Sequence, residues 1–175
     1  MIKLSKETAF IIAAIIGAVA LPQVFHIAGI WLGVGGQLGQ MFLPMYLPVL
    51  FIGFYRGPIS GAIAGLASPL ISFALTAMPK EDLLPYITIE LIATGLVAGL
   101  LIKSVKIPAI LRVLAVIVAA KAVRLTALAV ALYTTSGAVT STALFAGILT
   151  SIPGIVLQLV LVTCFIVIKE KKKNA

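Results

Sequence analysis

Charge is scarce in this chain. Only 10% of its 175 residues are Asp, Glu, Lys or Arg, while 62% are hydrophobic. Soluble domains run at about a quarter charged and about half apolar. So few charges cannot cover a water-facing surface, and the solvent this composition suits is lipid. Cysteine and histidine occur once each, at Cys164 and His26. That excludes an internal disulfide, and it leaves no Cys/His set for a metal cluster and no Ser-His-Asp set. Cys164 lies in an apolar run and reads as a small hydrophobe. No glycine-rich loop ends in Gly-Lys-Ser/Thr, so ATP hydrolysis by that route is excluded. No linker or internal repeat divides the chain. Residues 1–175 therefore read as one domain, and a transporter built of two similar halves is not supported. Few ionisable groups fall inside apolar segments, which argues against a proton relay. The chain is expected not to be an enzyme and to need no cofactor or metal.

What is abundant is long apolar sequence. Spanning a bilayer takes about 20 such residues. Six runs qualify, at 7–25, 41–55, 58–78, 84–102, 108–133 and 142–168. The fold class is an all-α membrane protein of six transmembrane helices. The run from Ala9 to Phe25 is longer than a usual signal-peptide core, so it reads as the first span. The second run is short and holds Pro44 and Pro48, which predicts a tilt or bend. Tyr55-Arg56-Gly57-Pro58 makes a tight turn. The segment 26–40 carries Gly29, Gly33, Gly35, Gly36 and Gly39 and reads as a mobile loop.

The net charge is +8. In a soluble protein this would suggest nucleic acid. Here the basic residues flank apolar runs, so no nucleic-acid partner is expected. With the N-terminus inside, inner segments carry Lys3, Lys6, Arg56, Lys103, Lys106, Arg112, Lys169, Lys171, Lys172 and Lys173, against Lys80 outside. That bias places both termini in the cytoplasm of a multi-pass plasma-membrane protein.

Lys121 and Arg124 lie inside the fifth run and Glu90 inside the fourth. At 1.5 Å per residue their depths from the outer end are roughly 18, 14 and 8 Å. Intramembrane charges point to function by default. Lys121 and Arg124 are i, i+3 neighbours and share a face. If Arg124 pairs with Glu90, Lys121 is left for an anionic or strongly polar ligand; alternatively, the pair only ties two helices. Gln37, Gln40, His26, Trp31 and Tyr46 gather in or beside the outer loop. There Gln37, Gln40 and Trp31 could close over a ligand, or Trp31 could anchor at the interface. Gln158 reads as interhelical glue. In the first run, Ala9, Ala13 and Gly17 lie four apart, and Ala14 and Ala18 form a second such pair. Small residues at that spacing admit a close helix, either this chain's own or a partner's.

The chain resembles the S components, the substrate-binding subunits, of energy-coupling factor vitamin transporters. The resemblance covers nearly the whole chain. It is carried by the run from Leu38 through Pro44-Met45-Tyr46-Leu47-Pro48 to Phe54, by Gly57-Pro58, Gly61, Gly65, Pro69 and Met78-Pro79, by Glu90-Leu91 with Gly95 and Gly99, and by Ala14 with Ala18. Many members have a histidine two residues before the second proline. This chain has Tyr46 there, so a polar role at that position is not carried over. The resemblance implies six helices with both termini cytoplasmic. It implies a vitamin or vitamin precursor bound near the outer face, under the loop between helices one and two. It also implies docking of the small-residue face of helix one (Ala14, Ala18, with Ala13 and Gly17) onto a membrane coupling subunit that carries two cytoplasmic ATPases. Surplus positive charge favours a carboxylate-bearing vitamin such as pantothenate, with pyrimidine, pyridoxine and corrinoid ligands open. Two other readings stand beside it: a solo secondary transporter, and a membrane scaffold without a small-molecule ligand.

Overall fold

Helix α1 (Lys6–Trp31) starts at Ser5, whose hydroxyl accepts from the Thr8 amide at 3.2 Å, with Glu7 in the electropositive first turn. The computed structural model describes residues 5–104, 106–134 and 149–174. After α1 come α2 (Gln37–Phe42), α3 (Tyr46–Arg56), α4 (Pro58–Thr76), α5 (Leu84–Leu100), α6 (Ala109–Thr134) and α7 (Ile152–Asn174). Counting α2 and α3 as one span, six helical stretches among the described residues are long and apolar enough to cross a membrane. The sixth was expected from residue 142; its first part lies outside the described residues.

Two boundaries differ from the sequence reading, each for a local reason. The loop 26–40 shrinks to 32–36, because α1 runs on through His26 and Gly29 to Trp31. The amides of Val34 and Gly35 fold back onto the Gly29 carbonyl at 2.9 and 3.0 Å. Gly29 permits this, since a Cβ there would overlap the Gly35 carbonyl oxygen. Only Gly33 and Gly35 of the glycine cluster use positive φ, 72° and 57°.

The second span does not merely bend; it breaks. Leu43 takes φ 47° and ψ 50° at the end of α2, and α3 begins at Tyr46. Pro44 disfavours the right-handed helical region for the residue before it. A non-glycine residue held left-handed is sparsely populated and is seen where surroundings enforce it.

Helix α3 is the centre of the bundle, with Tyr46, Leu47, Val49, Leu50, Ile52, Gly53 and Phe54 all buried. One face joins Ala98, Val113, Val116, Val162 and Ile166 from α5, α6 and α7. The other joins Ala18, Ala64 and Leu91 from α1, α4 and α5. Outward faces carry exposed Ile16, Ile59, Leu75, Leu100 and Val118, as a lipid solvent requires.

Helices α4 and α5 cross with their backbones close together. A Cβ on Gly61 would overlap the backbone of Gly95, and one on Gly95 the backbone of Gly61. Gly65 lies likewise on the Leu91 backbone and Gly99 on Gly57-Pro58. In a bilayer, where apolar burial drives little, small residues gain attraction by letting backbones approach. Hydroxyls on these helices bond their own helix's carbonyls: Ser68 to Ala64, Thr88 to Leu84 and Thr94 to Glu90, at 2.6, 2.7 and 2.8 Å.

The C-terminal end of α7 is tied by charge. Arg112, counted among the inner flanking residues, is inside α6 at 2% exposure and pairs with Glu170 at 2.7 Å. Lys169 donates to the Phe54 carbonyl at 3.0 Å, at the electronegative end of α3. Arg56 stacks 4.1 Å from the Phe10 ring centroid, joining α3 to α1.

Candidate functional site

The inward face of α5 carries Glu90, Leu91, Thr94, Gly95 and Ala98, and Glu90 is fully buried. Three groups meet its carboxylate. The Tyr46 hydroxyl, from the first turn of α3, donates to Oε2 at 2.7 Å. Arg124 Nη1 donates to the same oxygen at 3.0 Å. Lys121 Nζ lies 2.7 Å from Oε1 as an ion pair, and 5.4 Å from the Tyr46 ring centroid. Glu90 thus joins α3, α5 and α6 through one side chain.

This corrects the expectation that Lys121 stays free once Arg124 is paired. A carboxylate has two oxygens and about four lone-pair positions. The i, i+3 spacing on α6 brings both cations onto it. The cluster still carries two positive charges against one negative. It also has more donors than Glu90 accepts, since Arg has five and Lys three. The positive surplus expected from the sequence is therefore present, shared by both cations.

Tyr46 is the polar residue the sequence reading set aside. The available signal was its place just after a proline-broken segment, at the start of a buried helix. The second residue missed is Gln158 on α7. It is 2% exposed, and its side-chain nitrogen has no hydrogen-bond partner among the described residues.

Gln158, Glu90, Tyr46, Lys121, Thr94, Leu43, Ile117 and Ala120 line one cavity of about 10 Å³. One water needs about 10–15 Å³ by that measure. Pockets for small ligands run to about 300–1,000 Å³. In this conformation the cluster encloses room for a single small group. A vitamin-sized solute fits only if the lining moves, and Leu43, at the break between α2 and α3, is part of that lining.

Trp31, Gln37 and Gln40 are not in the lining. Trp31 is 87% exposed at the end of α1, and Gln37 and Gln40 are exposed on α2. What holds α2 in place is apolar and steric: Phe42 against Phe25, with centroids 5.3 Å apart, and the His26 ring packed over Gly36 and Gly39. On α1 the two readings of the small residues separate by position. Ala18 is fully buried in the core it shares with α3 and α4, Ala14 packs on that core, and Gly17 faces Pro48. These three face this chain's own helices, which corrects their assignment to a partner surface. Ala9 and Ala13 are exposed. Ala18→Trp is therefore expected to abolish a monodisperse fold, while Ala13→Trp is tolerated. Gel filtration of both variants in detergent checks this, and a well-behaved Ala18→Trp would contradict the packing.

No protein-family model matches the chain, no curated protein is significantly similar to it, and no solved structure matches it.

Proposed function

We propose that this protein captures a small polar solute inside a six-span bundle, as the substrate-binding membrane subunit of an ATP-driven vitamin importer. The observation that carries the reading is the buried cluster of Glu90, Lys121, Arg124 and Tyr46, with its positive surplus. Ionisable groups at membrane depth are costly, and they are retained at solute and ion pathways. The lack of a nucleotide-binding loop supports ATPases on separate subunits, and the sequence resemblance supports their kind. Lys121 and Arg124 hold the anionic or polar end of a vitamin or precursor, and Glu90 and Tyr46 keep the two cations in place. A coupling subunit that docks on α1 meets the face with Ala9 and Ala13.

The test is uptake in proteoliposomes of the solute that co-purifies with the protein. Accumulation is expected only with a coupling subunit, its two ATPases and ATP. Accumulation by this chain alone under an ion gradient would make it a secondary transporter. The one-water size of the cavity favours a second reading, in which the cluster is a tie between α3, α5 and α6 in a membrane scaffold. That reading requires that no solute co-purifies.

Orientation is proposed with both termini cytoplasmic, from the ten-to-one distribution of basic residues. In a Cys164→Ala background, a cysteine at exposed Glu81 should react with an impermeant maleimide in intact cells, and one at Lys172 should not. Labelling at Lys172 from outside would invert the layout.

A further inference from the structure

We propose that Gln158 reads the solute. It donates from its free amide to an uncharged acceptor on a small monoanion, whose charged end lies on Lys121 and Arg124. This rests on the solute-binding reading above. Gln158 lies on α7 and the cations on α6, and Gln158 and Lys121 border the same cavity. A buried amide nitrogen without a hydrogen-bond partner is costly, and lipid depth offers no bulk water to relieve it. Ser68, Thr88 and Thr94 avoid that cost through carbonyls of their own helices. Gln158 Nε2 does not. Among the described residues four other buried atoms also lack a hydrogen-bond partner: Gln23 Nε2, Arg112 Nε, Thr163 Oγ1 and Glu90 Oε1. The first three belong to residues outside the cavity lining, and Glu90 Oε1 is held by the Lys121 ion pair at 2.7 Å.

The chemistry around Gln158 defines what would satisfy it. Glu90 is already engaged by Tyr46, Lys121 and Arg124. What remains in the lining is a surplus of donors, the Gln158 amide nitrogen and the unused protons of Lys121, and Arg124, bound to Glu90 from outside the lining, adds positive charge. The complementary solute is a small carboxylate rich in acceptors, with a carbonyl, hydroxyl or ring nitrogen apart from the charged end. A cationic or donor-rich solute would face like charge and unpaired donors.

Two measurements test this. The first needs no ligand. Gln158→Leu should melt at the same or a higher temperature than the wild type, because an unsatisfied amide is replaced by an apolar side chain. A clearly lower melting temperature would show a structural tie and overturn the inference. The second is titration calorimetry of wild type, Gln158→Leu and Lys121→Met with a panel of paired probes: pantothenate and pantothenol, nicotinate and nicotinamide. Wild type should bind a carboxylate and reject its uncharged partner. Gln158→Leu should weaken that binding roughly 5- to 100-fold, and Lys121→Met roughly 10- to 150-fold. Binding that falls in Lys121→Met but not in Gln158→Leu would overturn the role of Gln158 and leave the solute site standing. Binding of none of the probes by wild type would overturn the carboxylate assignment and the inference with it.

Discussion

Glu90→Gln is expected to destabilise the protein by about 3–5 kcal/mol, the range for removing one partner from a buried ion pair. The change leaves Lys121 and Arg124, at 17% and 22% side-chain exposure, facing each other without a counter-ion. The single changes Lys121→Met and Arg124→Met should cost much less, because each leaves Glu90 with one cation and the Tyr46 hydroxyl. Replacing all three, as Glu90→Leu with Lys121→Met and Arg124→Met, should restore most of the loss, since an apolar set of similar volume is often as stable as a buried ion cluster. Thermal unfolding in detergent, followed by circular dichroism, reads all four variants. An unchanged melting temperature in Glu90→Gln would mean that the three-way pairing does not form.

The second large effect is expected at the α4–α5 crossing. Gly61→Leu and Gly95→Leu should each prevent assembly, because the added side chain meets backbone of the facing helix rather than a side chain that can yield. Overpacking against movable neighbours already costs about 1–3 kcal/mol. Even Gly61→Ala and Gly95→Ala should lose stability, although alanine gains up to about 1 kcal/mol in helix propensity over glycine. Gly36→Ala is the contrast, since its added methyl would meet only the His26 ring, at 3.4 Å. Folded yield and melting temperature of the three alanine variants decide it. Alanine at Gly61 or Gly95 with wild-type stability would rule out so close a crossing.

The spans were legible because a bilayer demands runs of about 20 apolar residues and the chain has few charges to interrupt them. The break in the second span was half legible. Pro44 and Pro48 marked a disturbance, but the left-handed turn at Leu43 depends on what packs around it. The inward face of α1 was not legible. Where nearly every residue is apolar, periodicity cannot separate a lipid-facing stripe from a core-facing one. Ala13 and Ala14 are sequence neighbours of the same size, and only one is exposed.

The site was legible in its charges and not in its neutral members. Glu90, Lys121 and Arg124 stood out as ionisable groups in apolar runs, and the structure brings all three together. The pairing arithmetic failed because one carboxylate serves two cations. Tyr46 and Gln158 lie 112 positions apart in the sequence, and nothing local marks either as facing Glu90. Trp31, Gln37 and Gln40 were grouped by closeness in sequence. The helix turn at 32–36 instead leaves them on the exposed surface.

The central claim is that the charged cluster exists to hold a small solute. Native mass spectrometry of the protein, extracted gently from the cells that produce it, tests it most directly. Wild type should carry one small anionic molecule per chain, and Lys121→Met, prepared in parallel and equally folded, should lose most of it. Wild type and Lys121→Met both appearing at the mass of the bare chain, or both carrying the same adduct, would contradict a solute site at Lys121 and leave the cluster as a tie between helices.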